Sequence, residues 1–217
     1  MSHRPPAEPW PLERFWAPAG TSPMTHHGVL VDHESIRRAT GLATLAELAD
    51  APLLVLLGEA GAGKSFAVRR EVERLGGLDH HTALLVDSGA LGDQSFAVAT
   101  FTRVLSLRGP GTRVCHLFVD AIDENSALPV RQLVAALGTS LLDLRQQAVG
   151  EGAIRLRLVG RGHLQNELCD ANQLAQLGEA LRCGNEASRG HVARWLCPLS
   201  QQDVAKVAVL AGLGERF

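Results

Sequence analysis

The segment that most constrains the fold is residues 53–65, LLVLLGEAGAGKS, where an apolar run passes directly into a glycine-rich loop. Five consecutive aliphatic residues are typical of a short strand buried on both faces, as in a parallel sheet covered by helices. The glycines that follow allow a tight backbone turn that side chains would obstruct. A helical pattern then begins at Ser65. The segment therefore predicts a strand–loop–helix unit, the first part of a right-handed βαβ crossover.

The same alternation of apolar runs and helix-length segments continues along the chain. Further strands are predicted at residues 83–86, 117–119, 154–159 and 195–197, and helices at 65–75, 94–107, 128–148, 164–181 and 200–210. Strands and helices that alternate at this spacing favour an α/β fold in three layers, with a mainly parallel sheet. In the strand at 154–159, Arg155 and Arg157 alternate with aliphatic residues, which predicts a less covered face or arginines that emerge at the end of the sheet.

The loop itself has the pattern G-x-x-x-x-G-K-S, from Gly58 to Ser65, between a predicted strand and a predicted helix. This is the P-loop pattern, in which backbone N–H groups and the positive end of a helix surround phosphates. Lys64 would neutralise the β- and γ-phosphates, and Ser65 would supply a magnesium ligand. Lysine is rare here, since all 21 basic residues but Lys64 and Lys206 are arginine. The residues predicted to bind the nucleotide are Gly58, Glu59, Ala60, Gly61, Ala62, Gly63, Lys64, Ser65 and Phe66.

A nucleotide site of this kind needs acidic residues at the end of a neighbouring strand. The segment HLFVDAIDE, residues 116–124, supplies them. Asp120 ends the apolar run and is predicted to hold magnesium, directly or through water, together with Ser65. Asp123 and Glu124 lie one turn further on, where a carboxylate can orient or activate water.

GEAGAGKS followed by LFVDAIDE resembles the NACHT group of the STAND signal-transduction NTPases. The likeness extends loosely from about residue 12 to the end of the chain. It implies a three-layer P-loop NTPase fold, with ATP (or GTP) and Mg²⁺ as cofactors and ATP favoured. It also implies slow hydrolysis that operates a nucleotide-dependent switch, in some bacterial homologues for antiphage defence. Arg161, in LRLVGR, then corresponds to the arginine that senses the γ-phosphate. The implied catalytic residues are Asp123, Glu124, Lys64 and Arg161.

The distribution of prolines and capping patterns suggests four regions. Six of the ten prolines fall in the first 23 residues, and we expect residues 1–27 to form an extended arm. Trp10, Phe15 and Trp16 would pin this arm onto the domain, with docking of a partner as the alternative. Residues 28–50 form a helical preamble in which Thr44-x-x-Glu47 opens a short helix, 45–49. Residues 51–199 are the NACHT-like domain. Residues 200–217, opened by a second capping pattern, are the start of a truncated helical extension.

Charge and composition limit the expected partners. A formal net charge of −2 in 217 residues gives no general basic field for nucleic acid or anionic lipid. The longest aliphatic run is far shorter than the roughly 20 residues that span a bilayer. We therefore expect a cytoplasmic protein whose partners are a nucleotide and other domains or protomers, with no membrane and no clear nucleic acid among them.

Two other functions fit the same motif. A P-loop small-molecule kinase would transfer the phosphate to a bound acceptor, although no clear Arg-rich lid follows the third predicted helix. A nucleotide-binding scaffold would retain nucleotide without turnover. A phosphorylated product would indicate the first of these functions, and retained nucleotide would indicate the second.

Overall fold

The strands and helices of the computed structural model follow the predicted alternation. The structure describes residues 12–21, 40–89, 112–125, 128–146, 153–181 and 193–210. The strands are β1 (Trp16–Pro18), β2 (Leu53–Gly58), β3 (His81–Asp87), β4 (Val114–Asp120), β5 (Ala153–Arg161) and β6 (Ala193–Leu196). The helices are α1 (Lys64–Gly76), α2 (Val130–Gln146), α3 (Gln165–Leu168), α4 (Ala171–Ala180) and α5 (Gln201–Leu210). The helix predicted at 94–107 lies outside the described residues.

The strands form one six-stranded sheet in the order β1-β6-β2-β5-β4-β3. Only β1 runs antiparallel to its neighbour, so the prediction of a mainly parallel sheet is confirmed. In register, Gly58 lies beside Arg161 and Asp87 lies beside Asp120. The ends of β2, β5, β4 and β3 therefore meet at one edge of the sheet.

Both faces of the sheet are covered, because alternate residues of β2 enter different hydrophobic clusters. Leu53, Val55 and Leu57 pack with residues of α2 and α4, whereas Leu54 and Leu56 pack with residues of α1. Successive side chains of a strand point to opposite faces, so α1 lies on one side of the sheet and α2 and α4 on the other. The structure is thus an α/β fold and is compatible with three layers.

The N-terminal segment contributes an edge strand. Phe15, Trp16 and Ala17 are buried, and β1 pairs with β6 through Trp16 and Leu196. The prediction that aromatic residues pin this segment onto the domain is confirmed for Phe15 and Trp16. Trp10 lies outside the described residues.

The short helix predicted at 45–49 is wrong, although its capping pattern does form. The Glu47 N–H donates to Thr44 Oγ1 over 3.2 Å, and the Thr44 N–H donates to Glu47 Oε2 over 2.7 Å. One hydrogen bond has α-helical spacing, from the Leu48 N–H to Thr44 O. The next bonds, from the Ala49 N–H to Ala46 O and from the Ala51 N–H to Leu48 O, span only three residues, as in turns. The chain has no room for a longer helix, because it must enter β2 at Leu53.

The prediction that Arg155 and Arg157 mark a poorly covered strand or its exposed end is also wrong. Strand β5 lies inside the sheet, and Arg157 is only 2% exposed. Both guanidinium groups donate to Ala49 O over 2.8 Å, and Arg155 also pairs with Asp50. Burial lowers the pKa of Arg157. The two arginines hold the 44–50 turn against the sheet. They alternate with aliphatic residues in β5 because they bind this turn, and not because that face of the strand is exposed.

The single helix predicted at 164–181 is interrupted in the structure. A 3₁₀ turn, Gly162–Leu164, and α3 precede α4, which begins after Asp170. The Asp170 carboxylate accepts N–H bonds from Asn172 and Gln173, and this N-cap starts a new helix. The cap predicted for α5 is confirmed, since Ser200 Oγ accepts the Asp203 N–H over 3.1 Å. Among the helices that the structure describes, none has the length and apolar character needed to cross a bilayer.

Candidate functional site

The glycine-rich loop connects β2 to α1 and leaves the first turn of α1 open. Gly61 and Gly63 have φ angles of 73° and 88°, a left-handed conformation that side chains disfavour. Gly63 is the N-cap of α1, and no side chain of the described residues caps this helix end. The N–H groups of a first helical turn have no partner within the helix. The open end of this 13-residue helix therefore offers donors and positive potential to an anion.

Lys64 is folded back onto the loop that precedes it. Its Nζ donates to the carbonyl oxygens of Gly58 and Glu59, each over 2.8 Å. Burial lowers the pKa of the Lys64 ammonium, while the nearby Asp123 and Asp120 oppose that shift. The ammonium thus lies close to the two aspartates and is held by neutral acceptors that an incoming anion can replace.

The acidic residues follow β4 in a constrained turn. Asp120 is 7% exposed, and its Oδ1 accepts the N–H of Ala121 over 2.9 Å. Ala121 has a φ angle of 54°, which is unusual for a residue with a side chain. Such conformations cost of order 1–3 kcal/mol and cluster at functional sites. The left-handed conformation of Ala121 turns the chain, so that Asp123 and Glu124 lie near the end of β5.

Arg161 joins these acids to the glycine-rich loop. It ends β5, the strand between β2 and β4. Its Nε lies 2.9 Å from Asp123 Oδ2, and its Nη2 lies 3.0 Å from Glu124 Oε1. The Asp123 side chain is only 8% exposed, whereas those of Arg161 and Glu124 are 45% and 56% exposed. Arg161 therefore neutralises a buried carboxylate from a position that still reaches solvent.

A cavity of about 410 Å³ brings these groups together. Every residue predicted for catalysis or metal binding lines it, together with six of the nine predicted nucleotide-binding residues. Gly58, Glu59 and Ala62 do not line it; the first two present their carbonyls to Lys64 instead. The predicted residues in the lining are Ala60, Gly61, Gly63, Lys64, Ser65, Phe66, Asp120, Asp123, Glu124 and Arg161.

Four lining residues were missed by sequence reasoning: Arg69, Asp87, Ala121 and Gly160. Asp87 carried a usable signal, because it directly follows a predicted strand, as Asp120 does. Gly160 is small for a packing reason, since a Cβ there would lie 3.0 Å from Ile122 Cγ2. No pattern in the sequence marked Arg69.

A second cavity, of about 320 Å³, lies between the N-terminal segment and α1. Phe66 lines both cavities, so the two adjoin at the first turn of α1. Arg14 lines the second cavity and donates from Nη2 to Cys197 O over 2.8 Å. This donation ties the N-terminal segment to the residue that follows β6.

Oxygen ligands suited to a hard cation are present in the first cavity. Ser65 offers a hydroxyl and Asp120 a carboxylate, the donors that magnesium prefers. Within the described ranges, no three His, Cys, Asp or Glu side chains form a metal-binding group. Magnesium commonly takes only one or two protein ligands beside phosphate oxygens and water, so this donor set fits it.

Comparison with protein families and with curated proteins adds no relative. No protein-family model matches the chain, and no curated protein matches it either. The resemblance to the NACHT group therefore stays a prediction from the motifs.

Proposed function

We propose that this protein binds a nucleoside triphosphate with magnesium at the glycine-rich loop, in a three-layer P-loop NTPase fold. One observation supports this best: a single cavity gathers Lys64, Ser65, Asp120 and Arg161 from three different strand ends. Two cations, an open helix end and an aspartate that can hold magnesium form an arrangement suited to a polyphosphate.

Each group then has a part in binding. The N–H groups of residues 61–66 would surround the β- and γ-phosphates, and the Lys64 ammonium would exchange its two carbonyl acceptors for phosphate oxygens. Ser65 and Asp120 would hold magnesium, which when bound neutralises charge on the phosphates. The nucleoside would extend past Phe66 towards the second cavity.

The ion pairs of Arg161 support a switch that reads the γ-phosphate. Arg161 reaches solvent and is bound to two carboxylates, Asp123 and Glu124. A γ-phosphate would compete for the same guanidinium and release both acids, whereas a diphosphate would not reach it. The arrangement at the edge of the sheet would thus depend on the phosphate state, as in NACHT-like signalling NTPases, including those with a role in antiphage defence.

The chain offers a matched pair of lysines to test this proposal. Lys64→Ala removes the ammonium group of the cavity, and Lys206→Ala removes an exposed lysine of α5 that is 3.7 Å from Asp203. We expect labelled ATP, or GTP, to bind the wild type and Lys206→Ala alike and to bind Lys64→Ala at least about 10-fold more weakly, from one lost charge-assisted contact. Equal affinity in all three proteins would contradict the proposal.

Phosphate release in the same samples separates the alternatives. Slow release without any added acceptor supports the switch. Transfer of the label to a metabolite supports the kinase, and stable binding without release supports the scaffold.

A further inference from the structure

Asp87 brings one more carboxylate to the phosphate cavity, from the strand beyond Asp120. It ends β3, lines the cavity and lies in register with Asp120 of β4. Neighbouring strands are about 4.8 Å apart. The two aspartates therefore leave the sheet side by side, with Asp87 further from the glycine-rich loop.

The backbone around Asp87 is fixed to the turn that follows β4. Ser88 is fully buried; its N–H donates to Asp120 O over 2.9 Å and its Oγ donates to Ala121 O over 3.0 Å. The Asn125 amide donates to Ser88 O over 2.9 Å. The Gly89 N–H donates to Asp87 Oδ1 over 3.0 Å. Asp87 is thus a positioned carboxylate, and a positioned side chain is what a reacting group needs.

Asp87 differs from the other acids of the cavity in its partners. Arg161 holds Asp123 and Glu124, and Asp120 is buried. Asp87 is exposed, and no cation of the described residues forms an ion pair with it. Its carboxylate is therefore open to a water molecule without the release of an ion pair.

If the glycine-rich loop binds the phosphates, the strand order places Asp87 on the side from which a nucleophile would arrive. In the sheet the strands lie in the order β2-β5-β4-β3, so the glycine-rich loop is at one end of the cavity and Asp87 is at the other. In-line transfer puts the attacking and leaving oxygens on opposite sides of the γ-phosphorus. Since the loop would hold the leaving diphosphate, the attacking oxygen would lie towards β3.

We propose that Asp87 accepts the hydrogen bond of the water that attacks the γ-phosphate, an inference that rests on the proposed function. As the water oxygen bonds to the γ-phosphorus, the bond from phosphorus to the β–γ bridging oxygen breaks. The nucleoside diphosphate leaves with that electron pair. The proton of the water passes to the Asp87 carboxylate and then to solvent, and inorganic phosphate is released.

Asp87→Asn tests this role with little change of structure, because the amide oxygen can still accept the Gly89 N–H. With the full chain, ATP or GTP and magnesium, we expect a nucleotide Kd within about 2-fold of wild type. We expect the single-turnover rate of phosphate release to fall by about 100-fold or more, as for loss of a general base. Asp87→Glu, which restores a carboxylate, should recover part of the rate. Asp143→Asn, an exposed acid of α2 outside the cavity, should match the wild type.

The outcomes separate this inference from the proposed function. Wild-type release rates in Asp87→Asn would overturn the inference alone, as would a loss of nucleotide affinity that accounts for the whole effect. A wild type that binds nucleotide without releasing phosphate would also overturn it. A folded wild type that binds no nucleotide would overturn both. A thermal unfolding midpoint for each variant confirms that it is folded.

Discussion

At the scale of single residues, the candidate site depends on a few charges that are held by named partners. Lys64 is held by two carbonyls, and Arg161 by Asp123 and Glu124. Each cation can leave its present acceptors for a phosphate without crossing the core. The cavity therefore already contains the groups that a triphosphate would recruit.

Arg161→Ala should weaken triphosphate binding more than diphosphate binding. A charge-assisted hydrogen bond contributes about 1.5–3 kcal/mol, which corresponds to roughly a 10- to 150-fold loss of triphosphate affinity. Diphosphate affinity should change by less than about 2-fold, because a diphosphate has no group at that position. Calorimetric titration with both nucleotides measures the ratio. An equal loss for the two would mean that Arg161 does not read the γ-phosphate.

A buried histidine gives the stability a pH dependence. His116 is fully buried against His81, with its Nε2 3.1 Å from His81 Nδ1. The pKa of His116 is lowered to about 3. Burial is the largest cause, and the positive charges of Arg157 and Arg155 add to it. In the unfolded chain the pKa of His116 is about 6.5, so below that pH the unfolded chain binds a proton that the folded chain does not bind. The contribution of the neutral, buried His116 to the free energy of unfolding is therefore complete above pH 6.5 and is lost as the pH falls towards 3.

Urea unfolding at pH 7, 6 and 5 measures this effect. In the wild type, His116 should contribute a loss of at most about 1.4 kcal/mol in unfolding free energy per pH unit. His116→Leu should remove that contribution, whereas His163→Gln, at an exposed position, should keep it. An unchanged pH slope in His116→Leu would contradict the assignment.

At the scale of elements, the 3₁₀ turn after Arg161 packs closely against β6. A Cβ on Gly162 would overlap Trp195 Cη2, so an added methyl must displace the indole. Trp195 Nε1 donates to Gln165 Oε1 over 3.1 Å, and that bond would be strained as well. We expect Gly162→Ala to destabilise the protein by about 1–3 kcal/mol, as overpacking does.

Gly76→Ala is the matched control for that substitution. Gly76 ends α1, and a methyl group added there would meet no heavy atom of the described residues within 4 Å. This change should be neutral or slightly stabilising, because alanine favours a helix more than glycine does. Chemical denaturation compares the two variants. Equal stability of Gly162→Ala and the wild type would show that β6 and the turn are not tightly coupled.

The elements also show what sequence could and could not predict. Continuous apolar runs located β2, β3 and β4, and alternating aliphatic residues located β5. Two capping patterns located real hydrogen bonds at Thr44 and Ser200. Sequence reasoning failed where a distant partner decides the outcome. Arg155 and Arg157 look like exposed residues until the 44–50 turn covers them. The pattern of apolar residues predicted one continuous helix at 164–181, but Asp170 caps the start of a new helix within that range.

At the scale of the whole molecule, the sheet order creates the candidate site. Strand β5 lies between β2 and β4, so Arg161 emerges between Lys64 and the acids. Motifs predicted which residues would be near phosphate, and the cavity does contain ten of them. The strand order itself was not predicted, because pairing between strands distant in sequence leaves no local pattern. Asp87 follows a predicted strand as Asp120 does, but it was missed because no pattern showed that its strand lies beside β4.

Nucleotide binding should stabilise the whole fold. Since the site combines residues from β2, β3, β4 and β5, a bound nucleotide favours the folded state by about 2.7 kcal/mol at 100 times its Kd. A thermal shift assay with magnesium and ATP or GTP should show a midpoint that rises with nucleotide concentration. The midpoint of Lys64→Ala should rise less over the same range, because an affinity about 10-fold weaker reduces the stabilisation at that concentration to about 1.4 kcal/mol. A wild-type midpoint that is independent of nucleotide would contradict this expectation.

Equilibrium binding of labelled ATP and GTP, with magnesium, to the wild type, Lys64→Ala and Lys206→Ala is the decisive experiment for the proposed nucleotide site. We predict saturable binding of one nucleotide by the wild type and by Lys206→Ala, and binding at least about 10-fold weaker by Lys64→Ala. Folded wild-type protein that binds neither nucleotide, or Lys64→Ala that binds as tightly as Lys206→Ala, would contradict the proposal.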